Sequence, residues 1–212
     1  MHLILMWIQG SGKWTQAGYI LAKYDYVNLE MGGILRGVLE DPSHRHYDAV
    51  NATIPHGKMT PDDVIFDLIE EFIEANPGKK VLIDGAIRNL TQRSFFDKIT
   101  TDYCIIFLEL SEDEAIRRIQ GRRMDPVTKE LFWGDFEWDT NPATGNKLIT
   151  RVDDSDIQRI KERFSWFHSE IMPLVNSWKD DDTPFFTVDA SGSREQVWED
   201  IQSIIDTQIN VN

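Results

Sequence analysis

Cysteine is almost absent from this chain. The single Cys104 excludes an internal disulfide, and its place in the apolar run "YCIIFLEL" reads as a buried small hydrophobe. Long hydrophobic runs are missing too, and this one is too short to span a bilayer. Positive charge is scarce. With 22 Lys and Arg against 36 Asp and Glu, the formal charge of −14 argues against a general binder of nucleic acid or membrane surface, since both would repel it. Any anionic ligand therefore has to find a local basic cluster. No internal repeat or low-complexity tract is visible. The N-terminus lacks a charged region, a long apolar core and a small-residue cleavage site, so the cytoplasm is the expected location. What is present is ordinary for a globular protein: 212 residues, 41% hydrophobic and 27% charged, enough for one domain or one domain plus a small insertion.

Short apolar runs without helical periodicity fall at residues 2 to 7, 80 to 84, 103 to 110 and 184 to 188, with helical stretches between them. This alternation predicts an α/β fold, a parallel β-sheet flanked by helices. Two regions interrupt it. Residues 30 to 72 contain "EMGGILRGVLE" and a helix start at Thr60, Pro61 and Asp62; residues 124 to 147 mix turn residues with large aromatic side chains and cannot be a core helix.

In such sheets ligands bind beyond the carboxyl ends of the strands. The first strand runs into "WIQGSGKWT", where Gly10, Ser11, Gly12, Lys13 and Thr15 match a phosphate-binding loop between a strand and a helix. Glycines let the backbone curl round phosphate, and Lys13 adds a full positive charge. Taken alone, G-S-G-K is also a common turn with a solvated lysine. The "KVLID" strand ends in Asp84, a residue able to hold magnesium through its waters, followed by Gly85, Arg88 and Gln92. If that segment is helical, Arg88 and Gln92 stand one turn apart on one face. After the third strand, Ser111 and Glu114 form a capping-box start, which sets Arg118 and Arg122 one helical turn apart. Arg117, Arg118, Arg122 and Arg123, with Arg151 and Arg163 downstream, make a set of fixed charges suited to a transferring phosphoryl group.

The order and spacing of these pieces resemble the adenylate kinases of the nucleoside monophosphate kinase family over nearly the whole chain. The loop "GSGK.T", the segments "MGGILR", "GKMT" and "DGAIR" with Gln92, the arginines 118 to 123, "DPVTKELFWGDF", Arg151 to Asp154 and "VDASGS" each resemble a family element. The resemblance implies a P-loop core over 1–29, 73–123 and 148–212, a monophosphate-binding insertion over 30–72 and a lid over 124–147. It implies ATP and AMP as substrates, magnesium as cofactor held through Thr15 and Asp84, and a monomer that binds neither nucleic acid nor membrane. Lys13 and the loop would take the donor phosphates. Met31, Gly32, Arg36, Gly57, Met59, Gly85, Arg88 and Gln92 would form the AMP site, with Gln92 reading adenine. Arg88, Arg118, Arg122, Arg151 and Arg163 would surround the phosphoryl group, Arg118 also stacking on the donor adenine, with Phe132 and Trp133 closing over the donor. The lid carries no four-cysteine set, so it is expected to be zinc-free and held by packing of Phe132, Trp133, Phe136 and Trp138.

The departures are equally specific. Trp7 and Trp14 stand where the family has glycine, Gly33 where it has aspartate, and Met31 where it has threonine; the spacing to Arg163 is one residue longer than usual. A β-carbon and an indole obstruct a loop built on positive φ or close approach to phosphate. A Trp7 forced into a glycine-only conformation would carry strain on the order of 1–3 kcal/mol. At position 14 the direction of the ring decides whether the site is open. Three readings follow from the sequence: an active adenylate kinase, a nucleotide-binding relative without turnover, and an unrelated α/β binding protein.

Overall fold

A computed structural model describes residues 1–128, 130–132, 139–150, 154 and 156–209. In chain order the elements are β1 (His2–Trp7), α1 (Lys13–Lys23), β2 (Tyr26–Glu30), α2 (Met31–Glu40), α3 (Tyr47–Asn51), α4 (Asp62–Ala75), β3 (Lys80–Asp84), α5 (Leu90–Ile99), β4 (Tyr103–Glu109), α6 (Glu112–Gln120), β5 (Arg123–Met124), β6 (Leu131–Phe132), α7 (Ile157–Trp166), α8 (Met172–Lys179), β7 (Phe185–Asp189) and α9 (Arg194–Ile204). The main sheet is wholly parallel in the order β2-β3-β1-β4-β7, as the alternation of apolar runs predicts. β1 and β4 lie inside it and are buried on both faces, which is why "LILM" and "YCIIFL" carry no polar alternation. Cys104 is fully buried there, and burial pushes its thiol up to about 12.

β2 is the strand that the apolar runs do not reveal. It lies at the sheet edge, pairs only with β3, and so keeps the exposed Asn28 in a short half-buried run. Its register places Glu30 opposite Asp84, so an acid from each strand stands at the carboxyl edge of the sheet. α4 starts at Asp62 with Pro61 as its N-cap residue and buries Val64, Ile65, Leu68 and Ile69 along one face. Two helical expectations change. α5 begins only at Leu90, with the Asn89 side chain accepting the Gln92 N–H, so Arg88 precedes the helix and does not share a helical face with Gln92. α6 ends at Gln120 and places Arg122 in the turn beyond it, so Arg118 and Arg122 are not one helical turn apart. The predicted capping box is half formed: Ser111 accepts the Glu114 N–H, but the Glu114 carboxylate turns to Arg117 and Arg118. These two cations hold it down at about 2. The complete box is at Ser193 and Gln196, heading α9. Among the described residues no helix is long and apolar enough to cross a membrane.

Candidate active site

β1, β2 and β3 deliver their carboxyl ends to one cavity of ≈ 870 Å³. The glycine loop forms one wall. Gly10 and Gly12 sit at φ 90° and 85°, and a β-carbon on Gly10 would come within 3.0 Å of the Ala115 carbonyl oxygen, so glycine is required at that position. Gly12 is the left-handed N-cap of α1, so the N-terminal end of that helix, where backbone N–H groups favour an anion, borders the cavity. Gly10, Ser11, Gly12, Lys13 and Thr15 all line it, together with Gly32, Arg36, Asp84, Arg88, Arg122 and Arg163 from the anticipated set. Lys13, Arg36, Arg88, Arg122, Arg163 and Arg194 supply six cations to the lining against the acids Glu30, Asp84 and Glu130. In a chain of net charge −14, this is the local basic cluster that an anionic ligand needs. Ser11 Oγ and Arg163 Nε are buried there without a hydrogen-bond partner among the described residues.

The cations are held in different ways. Lys13 Nζ lies 2.7 Å from both oxygens of Asp84 and 4.2 Å from the ring centroid of Trp7. Burial raises the Asp84 carboxyl above the usual range despite Lys13, so a further cation beside it is favoured. Arg88 donates from Nε to the Gly85 carbonyl at 2.8 Å. Burial pulls its guanidinium below the usual value while Asp84 opposes the shift. Arg122 and Arg163 converge on Asp154. Arg122 binds it through two bonds of 2.6 Å, and Arg163 Nη2 reaches it at 3.1 Å. Burial alone would raise the Asp154 carboxyl, and the two guanidiniums reverse that and hold it low. Arg163, the arginine with the irregular spacing, thus stands beside Arg122.

A second cavity of ≈ 240 Å³ adjoins at Arg88 and is bordered by Met31, Gly57, Met59, Gly85 and Gln92. Arg118 lies apart from both cavities, with its guanidinium on Glu114 and on the carbonyls of Ala190 and Ser191 after β7. Phe132 sits in β6 opposite Arg123, and its neighbour Leu131 lines the larger cavity. Trp133, Phe136, Trp138 and Arg151 lie outside the described residues. The described part of the second insertion is organised by hydrogen bonds, while the expected packing of Phe132 with Trp133, Phe136 and Trp138 falls largely outside the described residues. The fully buried Asp125 accepts from the Val127 and Thr128 N–H groups and from the side chains of Asn141, Thr144 and Asn146. Short polar side chains around one carboxylate carry no hydrophobic pattern, so they do not stand out in the sequence.

The two tryptophans part company. Trp14 is 64% exposed, its backbone helical and its ring in solvent at the rim of the cavity. Trp7 is the last residue of β1, in extended backbone, so the glycine-only strain does not arise. Its indole lies between Lys13 and the Gly85–Arg88 turn, 3.4 Å from where a β-carbon of Gly85 would stand. Beside Gly33 stands Glu30, whose Oε2 lies 2.6 Å from where a β-carbon at 33 would be, so a larger residue there would have to displace this carboxylate. Glu30 holds Arg36 at 3.1 Å and puts a carboxylate over the position where the family has aspartate. Nothing in the motifs singled out Glu30, because it belongs to the edge strand.

The adenylate kinase family model matches residues 5–183. Among curated proteins, the chain is 26% identical over 204 residues to an adenylate kinase of Natronomonas pharaonis, covering 96% of each chain. It is 27% identical to that of Rickettsia bellii, covering 97% of this chain and 99% of the relative. To that of Chloroherpeton thalassium it is 28% identical, covering 97% and 98%. A glycine loop on a parallel sheet, a basic cleft at its carboxyl edge and a family match over most of the chain agree: this chain belongs to the adenylate kinase family.

Proposed function

We propose that this protein transfers the γ-phosphoryl group of ATP to AMP, reversibly, giving two ADP. The observation that carries the reading is the convergence of the glycine loop, Arg88, Arg122 and Arg163 on one cavity that continues into a smaller one ending at Gln92. An oxygen of the AMP phosphate attacks the γ-phosphorus, and a new P–O bond forms as the β,γ-bridging bond breaks. The electron pair leaves with the β-phosphate of ADP. Little covalent work falls to the protein; its part is alignment and neutralisation of charge.

In this reading Lys13 and the loop N–H groups hold the donor phosphates. Arg88, a half-buried guanidinium with one edge fixed on Gly85, holds the acceptor phosphate. Arg122 and Arg163 meet the transferring group from the other side, and Asp154 keeps their like charges together. Arg151, Arg118 and the lid aromatics join from the resemblance. Asp84 and Thr15 would hold magnesium, which neutralises phosphate charge when bound. The buried, raised Asp84 carboxyl beside the loop fits a hard cation with few protein ligands. Residues 30–72 serve as the acceptor-binding insertion and 124–147 as the lid, and the protein works as a cytoplasmic monomer.

A coupled assay of ADP formation tests the reading. Two ADP per ATP consumed, dependent on AMP, is the expected result. AMP binding with no ADP formed would leave a nucleotide-binding relative and remove the kinase.

A further inference from the structure

Gln92, 2% exposed, borders the smaller cavity, and its carboxamide is fixed at both ends. Its Oε1 accepts the Arg88 backbone N–H at 2.7 Å, and its Nε2 donates to Asp62 Oδ1 at 2.8 Å. Asn89 closes the network: its Oδ1 accepts the Gln92 N–H at 2.8 Å and its Nδ2 reaches the same Asp62 oxygen at 3.3 Å. Neither anchor can exchange roles, because a backbone N–H only donates and an ionised carboxylate only accepts. A flipped Gln92 would set its NH₂ against an N–H and its oxygen against a carboxylate, two repulsive contacts in a buried place. One acceptor lone pair and one donor hydrogen remain on Gln92, in a fixed order along the amide.

That order carries chemical information. A 6-aminopurine presents the N6–H donor beside the N1 acceptor; a 6-oxopurine reverses both, with the O6 acceptor beside the N1–H donor. With the acceptor phosphate tethered at Arg36 and Arg88, turning the base over is not open to it. We propose that Asp62 is a positioning residue for base choice, locking the Gln92 amide in the order that pairs with a 6-aminopurine and turns away a 6-oxopurine. Asp62 acts through Gln92 and does not touch the nucleotide. The inference rests on reading this cavity as the AMP site.

The test compares kcat/KM for AMP and IMP, which differ only in the 6-substituent and the N1 proton. The unaltered protein, Asp62→Asn and Asp62→Ser are measured, with thermal melting as the check on folding. In Asp62→Asn the new amide offers a donor and an acceptor and so could face either end of the Gln92 amide; the AMP:IMP ratio should fall about tenfold. The change should come through KM, with kcat for AMP at saturation nearly unchanged. In a Gln92→Leu background the same substitution should leave the ratio unmoved. A ratio unaltered in whichever Asp62 variant melts cooperatively overturns the lock. Equal losses for AMP and IMP also overturn it, since they mark a merely structural role. An unaltered protein that uses IMP as well as AMP would bring down the acceptor reading itself.

Discussion

On the acceptor side of the cleft, Arg88 and Gln92 are each held by a backbone group that an incoming nucleotide has no need to displace. On the donor side, Lys13 is bound to both oxygens of Asp84 and lies against the ring of Trp7. The difference is one of preorganisation. AMP meets Arg88 and Gln92 already in place, with only the exposed Arg36 to draw from Glu30, whereas ATP has to draw the Lys13 ammonium from a buried carboxylate before gaining its charge. Glycine at position 7 would leave Lys13 only the first of these partners.

The largest expected effect comes from the support that both sides share. Asp154→Ala removes the buried carboxylate that binds both the Arg122 and the Arg163 guanidinium, which should cost ~3–5 kcal/mol of stability, read by chemical denaturation. Phosphoryl transfer should fall with it, and ATP and AMP alike. The comparison sharpens with Arg88→Ala, which should weaken AMP binding by ~1.5–3 kcal/mol and leave ATP binding nearly unchanged by calorimetry. Equal loss for both nucleotides would break it.

Acidification gives a smaller effect with a definite sign. The Asp154 carboxyl is held below its unfolded value of about 3.9. A depressed acid contributes stability that is complete above the unfolded value and lost as pH falls through the folded one. The melting temperature should therefore hold steady down to about pH 5 and drop below pH 4, and Asp154→Asn should flatten that drop. The smallest effect belongs to Trp14→Ala. With its ring in solvent, stability should move by no more than about 0.5 kcal/mol and ATP affinity should stay as it was.

The parts legible in the sequence share one property: each is written in consecutive residues. β1, β3 and β4 are short apolar runs, and the glycine loop is a contiguous motif whose geometry follows from Gly10 and Gly12. The rest depends on what stands next to what. β2 hides because an edge strand needs only half a hydrophobic pattern. Glu30 over Gly33, Asp62 on Gln92 and the side chains around Asp125 each join residues from different turns or elements, and no local spacing marks them. The placement of Arg122 is of the same kind: α6 ends at the C-cap Gly121, and the partner that Arg122 then finds, Asp154, lies 32 residues away. For the tryptophans the sequence poses the obstruction but not its direction, which rests on Trp7 ending a strand and Trp14 beginning a helix.

The most direct measurement is a paired titration of ATP and AMP against the unaltered protein and Trp7→Gly, with Trp14 left in place. Removing the indole takes away the cation–π partner of Lys13 and opens the approach to the loop, so ATP should bind more tightly by ~1 kcal/mol, about fivefold. AMP affinity should barely move. Should ATP affinity stay the same while the variant remains folded, or should AMP tighten in step with ATP, the donor side is not the less prepared half and the account is contradicted.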